Sequence, residues 1–456
     1  MNPRTLLAGA LLALCATATP ATDLLQVWQA ARQHDPQGAV SEAGRAAGAT
    51  RREQAAALWR PNLGLSASAG WANGQSQTNG AQFSALNSGL SDQANFSTSI
   101  NGGTATRWAL NARQPLYSPE RQAQEAQLHI AAGVAELRAD LAQQQFMLLT
   151  AQRYFNLLLA ERQEQVLKNQ YAAVSRSLTE VKDRFALGDL PVTDTHEAAA
   201  RATGLQAQLL AAGSEVQMAR SVLTDSTRLG ADALKPLSPK GDAAVTAVPA
   251  LVQVLEQVRE ANLGVRLQKA QQDVARQELK KHQRSGGVTL DLVASAGRDR
   301  LSGDGDFGPS TNSQSQQMVG LSLNVPLYTG GWRSAKLQEA VDAQARAEAE
   351  VDLAVQQAQQ QARSVWLALE TGPARLTALK ASWQASSARL DATRLGRQVG
   401  DRTTLALLQA ENDAAQAELA LLRAQTELLL TRLQLDALTG SMSVQSLQAL
   451  NAQLAP

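Results

Sequence analysis

Cysteine is almost absent from this sequence. Its single copy, Cys15, stands within the first 22 residues, so the rest of the chain forms no internal disulfide and offers no thiolate to a metal. Aromatics make up only 4% of 456 residues, too few for the thick cores of the two or three ordinary domains that this length would suggest. Histidine is equally thin. His34, His129, His196 and His282 sit on separate segments, and although His196-Glu197 opens like a zinc helix, Ala200 stands where the second ligand would be. No metal site is expected. A Gly-rich phosphate loop, a Ser-centred elbow and a carboxylate dyad are all missing, so neither a cofactor nor an enzyme activity is expected. Charge of one sign is missing too: a net charge of +1 gives no general pull toward nucleic acid.

Residues 1–22 read as an export signal. Arg4 supplies the positive end, Leu6 to Ala16 an apolar run too short to stay in a bilayer as a helix, and Ala16-Thr17-Ala18 a small-residue cleavage site. Cys15 follows Leu14 where a lipoprotein site wants a small residue, which favours cleavage after Ala18.

What the chain has in quantity is Ala, Gln, Leu, Arg and Glu in long helical stretches. Leu167, Tyr171, Val174, Leu178, Val181 and Phe185 form a descending seam with alternating spacings of four and three. The chain then breaks at Gly188-Asp189-Leu190-Pro191, and Ala198, Ala202, Leu205, Leu209, Ala212, Val216, Ala219 and Leu223 carry the seam back. That spacing predicts an antiparallel coiled-coil hairpin with a tight tip, Pro191 opening the returning helix. A second copy follows. Leu379, Trp383, Ser386, Leu390, Thr393 and Arg397 descend, Gly400-Asp401-Arg402-Thr403 make the tip, and the leucine-rich arm Leu405 to Leu438 fits two registers.

Upstream of each hairpin the period changes from helical to alternating. A helix from about Asp23 to Ala57 is interrupted at His34-Asp35-Pro36, because the residue before proline avoids the helical region. Leu63, Leu65, Ala67, Ala69 and Trp71 then alternate with small polar residues, as do Trp108, Leu110 and Ala112. Between these runs, 72–106 reads as a long polar loop. From Ser118 a helical pattern of about 70 residues reaches Leu187, roughly 105 Å at 1.5 Å per residue. In the second half a helix from about Pro249 to Gln283 leads to two more alternating runs, Val288 to Ala296 and Val319 to Leu327, around a polar loop at about 298–318. A helix follows, nicked at Gly372-Pro373.

The expected organisation is a signal at 1–22, a first repeat at 23–229, a linker at 230–248, a second repeat at 249–440 and a tail at 441–456. The strands, about nine to eleven residues each, carry one apolar and one polar face, the pattern of a transmembrane barrel. Trp71 and Trp108 at one end, and Trp59, Tyr117, Tyr328 and Trp332 at the other, stand where girdle residues belong. Four strands cannot close a barrel, so copies must combine: two would give eight strands with a filled interior, three would give twelve and a lumen. The fold class is thus α+β, long periplasmic helices with four transmembrane strands per chain.

Several stretches in combination resemble the TolC-like family of outer-membrane efflux and secretion channels. They are Leu25-Gln26-Val27-Trp28-Gln29-Ala30-Ala31-Arg32 followed by Asp35-Pro36, the paired Pro115-Leu116-Tyr117 and Pro326-Leu327-Tyr328 joints, Phe185-Ala186-Leu187-Gly188, and Gln398-Val399-Gly400-Asp401-Arg402-Thr403. The resemblance implies a homotrimer in the outer membrane of a Gram-negative bacterium, with a twelve-stranded barrel and a periplasmic helical tunnel. It also implies a periplasmic adaptor and an inner-membrane ABC or proton-driven pump as partners, for type I protein secretion, multidrug efflux or both. Leu187, Gly188, Asp189, Leu190 and Pro191, with Val399, Gly400, Asp401, Arg402 and Thr403, would dock on the adaptor. Arg402 and Asp194 would take part in an entrance gate, together with Arg397. Two departures bear on that gate: Ala406 and Gln409 stand where many members carry aspartates, and Arg397 replaces the family's tyrosine. The alternative is an exported coiled-coil stalk or adhesin without a channel, which would not need strands with a polar face.

Overall fold

The computed structural model describes residues 21–85, 89–230, 234–237, 248–284, 287–306 and 308–454. Most of the expected signal (1–20) and most of the linker at 230–248 lie outside the described residues. Along the chain run α1 (Leu24–His34), α2 (Pro36–Ala57), β1 (Asn62–Ala85), β2 (Gly89–Tyr117), α3 (Pro119–Ala186) and α4 (Val192–Thr227). The second half repeats the pattern with α5 (Leu251–Ala261), α6 (Leu263–Arg284), β3 (Thr289–Gly305), β4 (Gly308–Asn324), α7 (Trp332–Gln398) and α8 (Thr404–Leu438), and α9 (Val444–Asn451) follows. Arg45–Glu136 with Leu267–Asp352 forms one compact unit, and the remaining chain forms another.

The unit of Arg45–Glu136 and Leu267–Asp352 holds one antiparallel sheet in the order β1-β2-β3-β4. Its strands are longer than the alternating pattern predicts: 24, 29, 17 and 17 residues. The stretches read as polar loops are mostly ladder. Gln75 faces Ser99, Gln77 faces Ser97, and Ser302 faces Thr311. Backbone hydrogen bonds across a hairpin need no apolar side chains, whereas the sequence signal came only from the part with an apolar face. Shifts of register after Ala72, Thr78 and Ala81 mark irregularities in the β1–β2 ladder.

The other unit is helical. Asp23 caps α1 by accepting from the Gln26 N–H at 2.8 Å while the Gln26 side chain returns a bond to the Asp23 N–H. Asp35, extended before Pro36 as expected, is buried and ion-paired with Arg153 at 2.7 Å. One core gathers Leu24, Val27 and Trp28 with Phe146, Tyr154, Phe155, Leu223, Leu429 and Leu433. A second joins Val254 and Val258 to Val365, Leu369, Leu428, Leu435 and Leu438. The two registers left open for the leucine-rich arm are therefore both in use, because α8 sends Leu429 and Leu433 to one core and Leu428 and Leu435 to the other.

Three further expectations change. The predicted helix from 249 to 283 breaks at Asn262, whose side chain accepts from the Val265 N–H at 3.1 Å and donates to the Leu438 carbonyl at 3.0 Å. The nick at Gly372-Pro373 does not occur: α7 runs through it, with Pro373 on an exposed face and Gly372 turned to α8, where a Cβ would stand 2.4 Å from Leu428. One missing N–H is tolerated in a long helix fixed by packing on both sides of the proline. Pro191 precedes α4 as its N-cap instead of sitting in its first turn. Within 441–456, α9 packs Leu447 and Leu450 into the first core.

Candidate functional site

Both helical hairpins turn by the same device. Gly188 and Gly400 each have φ +82. At the first tip the Asp189 N–H donates back to the Arg184 carbonyl at 2.9 Å, and at the second the Asp401 N–H donates to the Gly396 carbonyl at 2.8 Å. This bond, from the residue after the left-handed glycine to the carbonyl five residues back, closes a Schellman motif. Pro191 and Thr403 then start the returning helices, Thr403 accepting from the Ala406 N–H at 3.1 Å. The turns leave apolar side chains in the open: Leu187 is 78% exposed and Val399 74%. Asp189 and Asp401 are exposed beside them, with Leu190 partly covered.

Of the predicted gate residues, Arg397 is engaged within the chain. Its guanidinium pairs with Glu180 of α3, which accounts for a charge in the seam of the second hairpin. Glu180 was missed in the sequence, although a cation placed on a seam calls for a carboxylate on the facing helix. Arg402 lies along α7, its Cγ where a Cβ on Gly396 would come within 2.8 Å, and its charge is 3.9 Å from Asp401. Asp194, in the first turn of α4, accepts from the Thr193 hydroxyl at 3.3 Å. The single chain does not bring Arg402 and Asp194 together among the described residues. Ala406 and Gln409 lie in the first turns of α8, Gln409 exposed.

Higher on the hairpins, polar groups tie α3 to α8 through Arg162–Glu418 and Gln170–Asn412, and α7 to α8 through Arg389–Asp413. Arg220 of α4 reaches Glu161 of α3 at 2.7 Å. No group of three or more His, Cys, Asp or Glu suited to a metal occurs among the described residues, and no helix among them is long and apolar enough to cross a membrane.

The sheet has two chemically different faces. One carries Leu63, Leu65, Leu110, Leu292, Val319, Leu321 and Leu323, with Leu65 71% and Val319 77% exposed. The register aligns these side chains in rows across the strands, such as Leu63, Ala112, Ala294 and Val319. The opposite face carries Ser66, Ser68, Asn111, Ser295 and Gln316, and its two arginines are neutralised across the β2–β3 seam. Arg107 grips Asp299 with two bonds of 2.7 and 3.0 Å, and Arg113 pairs with the buried Asp291. A soluble sandwich would cover the apolar face; here it is bare, while the polar face is furnished for water. Within the sheet, β1 and β4 are the edges.

The profile of the outer membrane efflux protein family matches residues 254–441. Outer membrane protein TolC of Escherichia coli K12 is 26% identical over 441 residues, covering 95% of this chain and 85% of that protein. Over nearly its whole length the chain is similar to the TolC-like outer-membrane efflux and secretion channels. Another relative, the proteases secretion protein PrtF of Dickeya chrysanthemi, is 26% identical over 458 residues, covering 99% of this chain and 95% of that one. In fold, the CmeC outer membrane channel of Campylobacter jejuni superimposes with a TM-score of 0.71 at 14% identity, covering 95% of this chain and 90% of that chain. The TolC-like channels are outer-membrane proteins of Gram-negative bacteria and not enzymes, and in this chain the helices occupy the periplasm.

Proposed function

We propose that three copies of this chain close a twelve-stranded barrel around a water-filled lumen, continued into the periplasm by a helical tunnel. The observation that carries this reading is the bare apolar face of a sheet whose edge strands, β1 and β4, are unpaired in the single chain. A sheet in lipid cannot keep open edges. Two copies would give eight strands and an interior filled by side chains, whereas three leave a passage. In this arrangement β4 of one copy pairs with β1 of the next, and the Ser, Gly and Gln face lines the lumen.

The chain supplies the conduit and draws its energy from elsewhere. Its partners are a periplasmic adaptor and an inner-membrane pump, the adaptor docking on Leu187–Pro191 and Val399–Thr403. Exposed apolar side chains held on rigid αL turns are suited to a helical-hairpin partner. Arg402, Asp194 and Arg397 hold the periplasmic entrance, Arg402 reaching Asp194 of a neighbouring copy. Relatives named for protease secretion favour a proteinaceous cargo, with small-molecule efflux through the same pore. The test is direct: protein purified in detergent should have three times the mass of the chain and conduct ions in planar bilayers. A well-folded particle of single-chain mass, or one that never conducts, overturns the reading.

A further inference from the structure

The apolar face of the sheet carries two arginines that the barrel alone does not need. Along β3, Leu292, Ala294, Ala296, Arg298 and Arg300 fall on one face by alternation, and the register sets Arg298 level with Trp108, and Arg300 level with Ala69 and Thr106. The next row outward holds Trp71, Thr104 and Ser302. Both arginines are exposed, and each uses its Nε on a serine: Arg298 on Ser313 at 2.9 Å, Arg300 on Ser302 at 3.3 Å. Neither has a carboxylate partner among the described residues. Asp299 between them points to the other face, where Arg107 takes it. Asp304, the next outward carboxylate on β3, is four residues from Arg300, about 13 Å along the strand.

Their level in the membrane follows from the rows. Taking Leu290 and Leu323 as the lowest, a strand tilted by about 45° raises Arg298 by roughly 19 Å, Arg300 by roughly 23 Å and the Trp71 row by roughly 28 Å, against an apolar band about 25 Å tall. The two charges therefore stand where hydrocarbon gives way to the outer-leaflet headgroups, flanked by tryptophans that favour that depth. An arginine on the lipid side is costly at mid-membrane and nearly free of cost near the interface, which makes this the tolerable place for it.

We propose that Arg298 and Arg300 bind a phosphate of the phosphorylated glycolipid in the outer leaflet. A guanidinium is weakly hydrated and its planar fork matches phosphate oxygens, so two exposed ones, one row apart on the same strand and each bonded to a serine through Nε alone, form a ready anion clamp. The proposal rests on the outer-membrane barrel reading. Its test is native mass spectrometry of the delipidated, detergent-purified protein titrated with lipopolysaccharide, enzymatically dephosphorylated lipopolysaccharide, or phosphatidylethanolamine. Wild type should retain the phosphorylated glycolipid, and the Arg298→Gln/Arg300→Gln variant should lose about tenfold in affinity, as removal of charge-assisted contacts predicts. Dephosphorylated glycolipid should bind wild type as weakly as the variant binds the intact lipid, a comparison that needs no mutant to fold. Equal binding of the intact and dephosphorylated glycolipids, or of wild type and variant, overturns the clamp. Bilayer conductance of the same wild-type sample separates the two readings: conduction without phosphate-dependent binding sinks the clamp alone.

Discussion

Arg397 of α7 and Glu180 of α3 form an ion pair that links the descending arms of the two helical hairpins just above their tips. Arg397 puts a charge in the seam at the position where the first hairpin has Phe185. Its side chains are 32% and 42% exposed, so it contributes little to folding, about 0.2–1 kcal/mol. Its effect should instead appear in the entrance. Arg397→Ala and Glu180→Ala should each leave the thermal midpoint nearly unchanged and raise resting conductance. The exchange Arg397→Glu/Glu180→Arg should restore the wild-type current, and a current in the exchange variant equal to that of the single variants would remove the pair from the gate.

Leu187 and Val399 stand out on tips held in shape chiefly by backbone bonds. Leu187→Asp and Val399→Asp place a charge where an apolar partner surface would be desolvated, without touching the glycine geometry. Transport in cells and cross-linking to the adaptor should fall about tenfold or more, consistent with a central apolar anchor. Trimer mass and bilayer conductance should stay as in wild type. Undiminished cross-linking would move the docking surface away from the tips.

The parts of this fold that were legible in the sequence are those that bury a repeating stripe. The seam from Leu167 to Leu223 could be read because coiled-coil spacing is dictated by the contact itself. The lower half of each strand could be read because lipid enforces alternation. The outer half could not: Gln75 to Thr78 pair with Phe96 to Ser99 through backbone, and side chains there carry no period. Long-range partners were also hidden. Asp35-Pro36 announced a break, but nothing local pointed to Arg153, 118 residues away, as the cation that neutralises it. The tight tips could be read because Gly188 and Gly400 end their seams, whereas the proposed link between Arg402 and Asp194 would join two copies and lies beyond any single-chain pattern.

Tyr154 ties the segment before α1 to the segment after α4. Fully buried, its hydroxyl donates to the Lys235 carbonyl at 2.8 Å and lies 3.3 Å from the Thr22 carbonyl. Tyr154→Phe should cost about 1–3 kcal/mol, because the Lys235 carbonyl loses this donor while the Thr22 carbonyl keeps the Lys235 N–H. Burial, reinforced by the Asp23 carboxylate, pushes the Tyr154 hydroxyl well above the ordinary tyrosine range. A pKa raised in the folded state gives stability that is complete below the unfolded value of about 10 and is lost as pH climbs past it. Wild type should therefore lose thermal stability above about pH 10, and Tyr154→Phe should flatten that alkaline limb. An identical alkaline limb in both proteins would assign it to other groups.

Gly396 offers a way to move Arg402 without removing it. The glycine lies one turn before the second tip, and a methyl group there would come 2.8 Å from the Arg402 Cγ. The obstacle is a flexible, exposed side chain, so Gly396→Ala should fold readily and gain up to about 1 kcal/mol in helix propensity. Arg402 would be lifted off α7 while its charge remained. If the resting gate depends on where that guanidinium stands, Gly396→Ala should raise resting conductance as much as Arg402→Ser does, despite an equal or higher thermal midpoint. Should Arg402→Ser open the channel and Gly396→Ala leave it shut, the charge matters and its seat on Gly396 does not. Should neither change the current, Arg402 has no part in closure.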